Sequence, residues 1–123
     1  MTTTQKGNKG LSLAIGYFGS CGYTVSIPLT DTQDYDLIVD DGDLLKVQVR
    51  YTDTQTKYGI YSVNLRVVSG STRKVVKKGS DCTYDLLFVV CGNGKMYLIP
   101  KCEVTNERSL NLSPNKDKYI VNL

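Results

Sequence analysis

The stretch YDLIVDDGDLLKVQVRYT, residues 35–52, contains two mainly apolar runs that flank a short acidic turn. The turn, Asp41–Asp43, includes the Asp-Gly pair that is typical of β-hairpins. Side chains alternate across a strand, so the second run divides into an apolar face and a polar face. The apolar face contains Leu45, Val47, Val49 and Tyr51, and the polar face contains Lys46, Gln48, Arg50 and Thr52. The stretch therefore predicts an antiparallel hairpin with one chemically distinct face.

The polar face of this hairpin is a candidate active site. With a loop of Asp41–Asp43, position 40 pairs with position 44, and Asp36 faces Gln48 from roughly 5 Å. Asp36, Gln48 and the backbone carbonyl of Val49 offer oxygen ligands of the kind that Mg²⁺ binds. Such a metal could activate water against a phosphodiester, while Arg50, one pleat further along, could stabilise the transition state. The alternative that the spacing leaves open is the solvated face of an antiparallel sheet.

The remaining chain predicts a helix followed by a sheet. Residues 9–20 place apolar side chains on a helical stripe, with Asn8 as the cap and Cys21-Gly22 as the stop. Short strands follow in YTVSIPL, in the hairpin, in GIYSVNLRVV, and in a second hairpin about Asn93-Gly94. A polar, basic loop is expected over about Ser69–Asp81. PKCEV predicts a short helix and KYIVNL a last strand or helix. The sum is one helix and five or six strands, an α/β (α+β) fold.

Composition narrows the possible chemistry. The chain has 123 residues, a net charge of +3 and no histidine, which excludes histidine-dependent nucleophiles and histidine-ligated zinc. Its four cysteines form no C-x-x-C pair, which disfavours a zinc site or a disulfide framework. The apolar runs are too short to cross a bilayer and the N-terminus lacks a secretory signal, so we expect a single cytoplasmic domain.

Polar and basic residues after the hairpin are candidates for nucleic-acid binding. Ser62, Asn64 and Arg66 alternate on one face of a predicted strand and could read base edges. Cations could neutralise phosphates, and this neutralisation supplies most of the affinity for duplex DNA. The cationic candidates are Lys57, Arg66, Arg73, Lys74, Lys77 and Lys78. The alternative for each of these residues is a solvated polar surface.

The order of a helix, a strand and the aspartate hairpin leading into VQVR resembles the PD-(D/E)XK nuclease superfamily, in particular its group I intron homing endonucleases. KGNKG, GYTVSIPL and YLIP extend the resemblance over most of the chain. It implies a restriction-endonuclease-like core over residues 1–123, with a mixed β-sheet, an N-terminal helix and a second short helix. It implies a site-specific, metal-dependent DNA endonuclease in which Asp36 binds Mg²⁺ or Mn²⁺, Gln48 takes the acidic position, and Arg50 takes the lysine position. The small size predicts a homodimer or homotetramer on double-stranded DNA.

Two departures from that family pattern keep alternatives open. Arg50 stands at the lysine position, and Leu11 stands about where the first helix of the family carries a glutamate. The chain could therefore be a catalytically impaired or inactive DNA-binding protein with the nuclease fold. A small sheet protein that binds another protein is the third alternative.

Overall fold

The computed structural model describes residues 1–69 and 75–123. These residues form one α-helix, ten strands and three 3₁₀ helices. The helix is α1, Thr3–Ser20. The strands are β1 Thr24–Ser26, β2 Leu37–Asp40, β3 Leu44–Thr52, β4 Ser62–Asn64, β5 Val67–Ser69, β6 Val75–Lys77, β7 Leu86–Cys91, β8 Met96–Pro100, β9 Ser109–Asn111 and β10 Ile120–Val121. The 3₁₀ helices are Gly79–Asp81, Lys101–Glu103 and Pro114–Tyr119.

Helix α1 begins six residues before the predicted start at residue 9. Its cap is Thr2, whose hydroxyl accepts the Gln5 N–H at 3.1 Å, while the Gln5 side chain accepts the Thr2 N–H at 2.8 Å. This capping box satisfies two backbone donors at once, so the predicted cap at Asn8 is wrong. The predicted stop is confirmed, because Cys21 is the C-cap and Gly22 follows with φ +84°.

Six strands form one mixed sheet in the order β1-β2-β3-β7-β8-β10. The β3 and β7 strands are parallel, and the other neighbours are antiparallel. Asp40 pairs with Leu44 and Leu37 with Val47, which is the register that a three-residue loop predicts. Gly42 takes φ +113° in that loop, a conformation that glycine adopts without strain. The predicted α/β (α+β) class with a mixed sheet is confirmed.

The segment GIYSVNLRVV is not one strand, as predicted, but two strands in different sheets. Strand β4 pairs with β9, and β5 pairs with β6. The chain leaves the first pairing after Asn64, where the Asn64 side chain accepts the Arg66 N–H at 2.9 Å and the Leu65 N–H donates to the Arg108 carbonyl at 2.9 Å. The predicted loop over Ser69–Asp81 therefore contains a strand, and the predicted strand number is too low.

The second hairpin and the C-terminal elements follow the sequence pattern. Strands β7 and β8 pair as an antiparallel hairpin, with Gly94 at φ +90° in the turn. The predicted short helix is the 3₁₀ turn Lys101–Glu103, and the last predicted element is strand β10. Strand β1 lies at the sheet edge and ends before Pro28, as a proline near a strand end indicates.

Two apolar clusters cover opposite faces of the six-stranded sheet. Phe88 and Val90 belong to the cluster under α1, whereas the alternating neighbours Leu87 and Val89 belong to the cluster under β4 and β9. The predicted polar face of β3 is therefore covered by protein. Gln48 and Thr52 on that face are only 5% and 6% exposed. A solvated face, the alternative for the hairpin, is wrong for these residues.

Along residues 1–69 and 75–123, the structure contains no helix with the length and apolar character that a membrane crossing requires.

Candidate active site

A cleft of about 470 Å³ lies between the first turns of α1, the segment after β1, and strand β3. We call it the first cleft. Asp36, Gln48, Val49 and Arg50 all line it, so the structure brings the predicted site residues together. The other lining residues are Gly7, Asn8, Leu11, Ile27, Pro28, Thr30, Asp31, Gln33 and Tyr35.

Asp36 is held beside Gln48 by two backbone contacts with β3. Its N–H donates to the Val47 carbonyl at 2.8 Å, and its carboxylate accepts the Val49 N–H at 2.8 Å. Burial raises the pKa of Asp36 above its ordinary value, and the Val49 N–H and the Arg50 charge oppose this shift. The charged carboxylate is therefore incompletely compensated, which is the condition that a bound cation relieves.

Gln48 places a buried amide next to the Asp36 carboxylate. Its Nε2 lies 3.4 Å from the Val49 carbonyl oxygen, a long and weak hydrogen bond. The Gln48 side chain and the Val49 carbonyl therefore meet at one point on the strand. Together with Asp36, they bring a carboxylate, a side-chain amide and a peptide carbonyl to a single cleft.

The Arg50 guanidinium is anchored by backbone rather than by a carboxylate hydrogen bond. Its Nη2 donates to the Arg66 carbonyl on the segment after β4. Within the part of the chain that the structure describes, its buried Nε has no hydrogen-bond partner. Burial lowers the pKa of Arg50 and the Asp36 carboxylate opposes this, but a guanidinium stays protonated in proteins. A buried donor without a hydrogen-bond partner lowers the stability of the folded protein, and such donors are common at functional sites.

A second cleft, also of about 470 Å³, lies on the other side of Arg50. It shares Gly7, Val49 and Arg50 with the first cleft. Two predicted base-reading residues, Ser62 and Asn64, line it. The other lining residues are Thr3, Lys6, Tyr51, Thr52, Asp53, Thr54, Arg108 and Ser109.

The other predicted DNA-binding residues are placed differently. Arg66 is exposed and contributes its backbone carbonyl to Arg50. Lys57 lies with its ammonium 5.1 Å from the Tyr58 ring, and Lys78 lies 3.9 Å from Glu107; neither lysine lines the two clefts. The backbone of Lys77 lies in β6. Arg73 and Lys74 fall outside the described residues.

Sequence reasoning missed several residues around the two clefts. Asp34 is 2% exposed, and its carboxylate accepts the Thr83 N–H at 2.8 Å and the Thr83 hydroxyl at 2.9 Å, which fixes the chain just before Asp36. In sequence Asp34 is one of six aspartates between residues 31 and 43, with nothing to mark it. Lys6 and Arg108 in the second cleft were also missed, because only the tertiary fold brings them together.

The donor set of the first cleft fits a hard divalent cation better than zinc. In residues 1–69 and 75–123, no group of three histidine, cysteine or carboxylate side chains is arranged to hold a metal. Mg²⁺ retains several waters and needs only one or two protein carboxylates, with neutral oxygens completing its shell. Asp36, Gln48 and the Val49 carbonyl match that requirement.

Comparison with known proteins agrees with the fold. The family described as PD-(D/E)XK endonuclease matches residues 1–119. The structure of a bacterial homing endonuclease, I-Ssp6803I, superposes with a TM-score of 0.77 and 26% sequence identity, covering 98% of this chain and 89% of that one. No curated protein matches the sequence significantly. The expected restriction-endonuclease-like fold is thus confirmed, and the chain belongs to the PD-(D/E)XK endonuclease family.

Proposed function

We propose that this protein is a site-specific, metal-dependent endonuclease of the homing type that hydrolyses phosphodiester bonds in double-stranded DNA. The observation that carries the proposal is the convergence of Asp36, Gln48, Val49 and Arg50 on one cleft in an endonuclease-family chain. The similarity to a bacterial homing endonuclease supports DNA as the substrate and homing as the type.

The proposed metal is Mg²⁺ or Mn²⁺, held by an Asp36 carboxylate oxygen, the Gln48 amide oxygen and the Val49 carbonyl. When bound, it would supply an activated water and neutralise charge on the scissile phosphate. The chain itself holds Asp36 in place through the Val47 carbonyl and the Val49 N–H. Burial of Gln48 limits the access of bulk water to one side of this point.

Arg50 is the proposed phosphate ligand. Its charge lies at the boundary of both clefts, where it can donate to a phosphate oxygen and stabilise the transition state. It cannot act as a general base, because it does not lose its proton. Its contact with the Arg66 carbonyl links this charge to the segment after β4.

Ser62 and Asn64 are the proposed base-reading residues, because they line the second cleft beside Arg50. We further propose that residues 1–123 act as one domain, since both apolar clusters pack on the same sheet. Cleavage of both strands requires two sites, so a symmetric homodimer or homotetramer is the proposed working form.

The decisive experiment incubates the protein with a plasmid library of random inserts, with Mg²⁺, with Mn²⁺ and with EDTA, and sequences the cut ends. We expect metal-dependent cuts within one sequence motif. Asp36→Ala should abolish them, whereas Asp43→Ala, at an exposed turn position outside both clefts, should not. Cleavage that survives Asp36→Ala would show that the assigned site is wrong.

A second candidate function is DNA binding without catalysis. Leu11 lines the first cleft at about the place where the family pattern expects a glutamate. Among the described residues, the carboxylates that line this cleft are those of Asp31 and Asp36. This candidate expects salt-sensitive binding and no cuts in either metal. The double variant Leu11→Glu with Arg50→Lys would then gain cleavage, and its failure to do so would count against simple inactivation.

A further inference from the structure

The two clefts carry opposite charges. The described residues that line the first cleft include two carboxylates, Asp31 and Asp36, and one guanidinium, Arg50, which leaves one net negative charge. Those that line the second include three cations and one carboxylate, which leaves two net positive charges. The three cations are Lys6, Arg50 and Arg108, and the carboxylate is Asp53. A cation is favoured on one side of Arg50 and an anion on the other.

We propose that the second cleft binds the DNA strand next to the scissile phosphate, with Arg108 and Lys6 as ligands of the phosphates of that strand. The choice of DNA as the ligand rests on the proposed function, but the two phosphate ligands, Arg108 and Lys6, are not among the proposed metal ligands. Arg50 belongs to both clefts and marks where the strand passes from one to the other.

The side chains that line the second cleft can bind the sugar-phosphate backbone of a DNA strand. Hydroxyl side chains of Thr3, Thr54 and Ser109 line it and can donate to phosphate oxygens. Gly7 lines both clefts and therefore lies at their junction. A Cβ added at Gly7 would have no atom within 4 Å. The passage between the clefts is therefore open at this position of α1.

An ion pair inside the second cleft would compete with a bound phosphate. The Lys6 ammonium lies 2.5 Å from the Asp53 carboxylate. Asp53 raises the pKa of Lys6, and Lys6 lowers the pKa of Asp53, so both groups are charged at neutral pH. A phosphate that binds Lys6 must compete with Asp53 and is repelled by it. Asp53 therefore weakens DNA binding in this cleft, and Arg108 strengthens it.

The test measures binding of a short random-sequence duplex by fluorescence anisotropy in EDTA, over a series of salt concentrations. Arg108→Ala should weaken binding several-fold at low salt and reduce the salt slope by about one. Asp53→Asn should strengthen binding several-fold, because it frees Lys6 and removes the repulsion. Arg108→Lys should restore part of the loss. Thermal melting checks that each variant is folded.

Matched controls separate a local effect from a change in net charge. Lys95→Ala and Glu103→Gln make similar charge changes at exposed positions outside both clefts. The proposal is overturned if Arg108→Ala behaves as Lys95→Ala does, if Asp53→Asn behaves as Glu103→Gln does, or if the wild-type chain does not bind the duplex.

The binding assay in EDTA is independent of cleavage, so the two proposals fail separately. Metal-dependent cuts with no effect of Arg108 or Asp53 on binding would reject the second-cleft site and leave the nuclease function standing. Binding that depends on Arg108 and Asp53 without cuts in Mg²⁺ or Mn²⁺ would reject the nuclease function and leave the second-cleft site standing.

Discussion

The two clefts beside β3 have the same volume of about 470 Å³ and share Gly7, Val49 and Arg50, yet their charges differ in sign. The difference comes from the elements that border β3 on each side. On one side, the chain entering β2 brings Asp36 against the strand; on the other, α1 and the segment before β9 bring Lys6 and Arg108. One central strand therefore borders a cleft of net negative charge and a cleft of net positive charge.

The largest expected effect comes from neutralising the first cleft alone. Asp36→Asn removes the carboxylate that contacts β3, and we expect single-turnover cleavage to fall at least about a hundredfold. Binding of DNA in EDTA should persist, because the second cleft is intact. Asp31→Asn is the matched control, since it makes the same charge change in the same cleft. An equal loss in both variants would mean that the overall charge of the cleft matters and the position of Asp36 does not.

A second change adds charge to the first cleft. Gln48→Glu buries a carboxylate beside Asp36 and should destabilise the metal-free protein by about 1–3 kcal/mol at neutral pH. Burial and the neighbouring carboxylate favour the protonated form, so this penalty should shrink as the pH falls towards the unfolded pKa. Mg²⁺ should restore stability in urea unfolding. A penalty that Mg²⁺ does not reduce would contradict metal binding at this position.

A smaller effect is expected from a substitution at Gly7, which lines both clefts. Gly7 lies inside α1 with open space around it, so Gly7→Ala should raise the free energy of unfolding by about 0.8–1 kcal/mol. The methyl group also narrows the junction, so DNA binding should weaken although the fold is more stable. Gly22→Ala is the contrast, because φ +84° makes alanine unfavourable there. Stronger DNA binding by Gly7→Ala would contradict a strand path past this residue.

The smallest effect is a difference in pH dependence between Asp36 and Asp53. The raised pKa of Asp36 means that its ionisation lowers the free energy of unfolding. This loss of stability is complete above the folded pKa and disappears at low pH. The lowered pKa of Asp53 means the reverse: its contribution is present above the unfolded pKa and lost as the pH falls through the folded pKa. At neutral pH, Asp36→Asn should therefore stabilise the protein and Asp53→Asn should destabilise it slightly.

Thermal melting between neutral pH and about pH 3 checks this pair, because the unfolded Asp pKa is about 3.9. Both differences from the wild-type protein should diminish towards the acid end. The Asp53 difference should also shrink in high salt, since its ion pair with Lys6 is exposed. If Asp36→Asn and Asp53→Asn changed the melting temperature in the same direction at neutral pH, the opposite roles assigned to these two carboxylates would be contradicted.

Much of the fold followed from local signals. The Asp-Gly turn and the alternation after it gave the register of β2 and β3, and with it the meeting of Asp36, Gln48 and Arg50 in one cleft. The cap at Thr2 was missed in favour of Asn8, although Thr-x-x-Gln is a capping-box pattern.

The rest depends on contacts between distant parts of the chain. The break after β4 occurs where Leu65 bonds to the Arg108 carbonyl, a partner that no local pattern identifies. The burial of Gln48 depends on the apolar cluster under β4 and β9. The second cleft joins Lys6 near the N-terminus to Arg108 near the C-terminus, so its charge could not be read from either segment alone.

The most direct test is a crystal of the protein soaked in Mn²⁺ and measured at the manganese absorption edge. We expect one anomalous peak for each copy of the chain, in the first cleft, within about 2.0–2.3 Å of an Asp36 carboxylate oxygen and near the Gln48 amide and the Val49 carbonyl. A peak in the second cleft, or no peak beside Asp36 at saturating Mn²⁺, would contradict the assignment of the cation site.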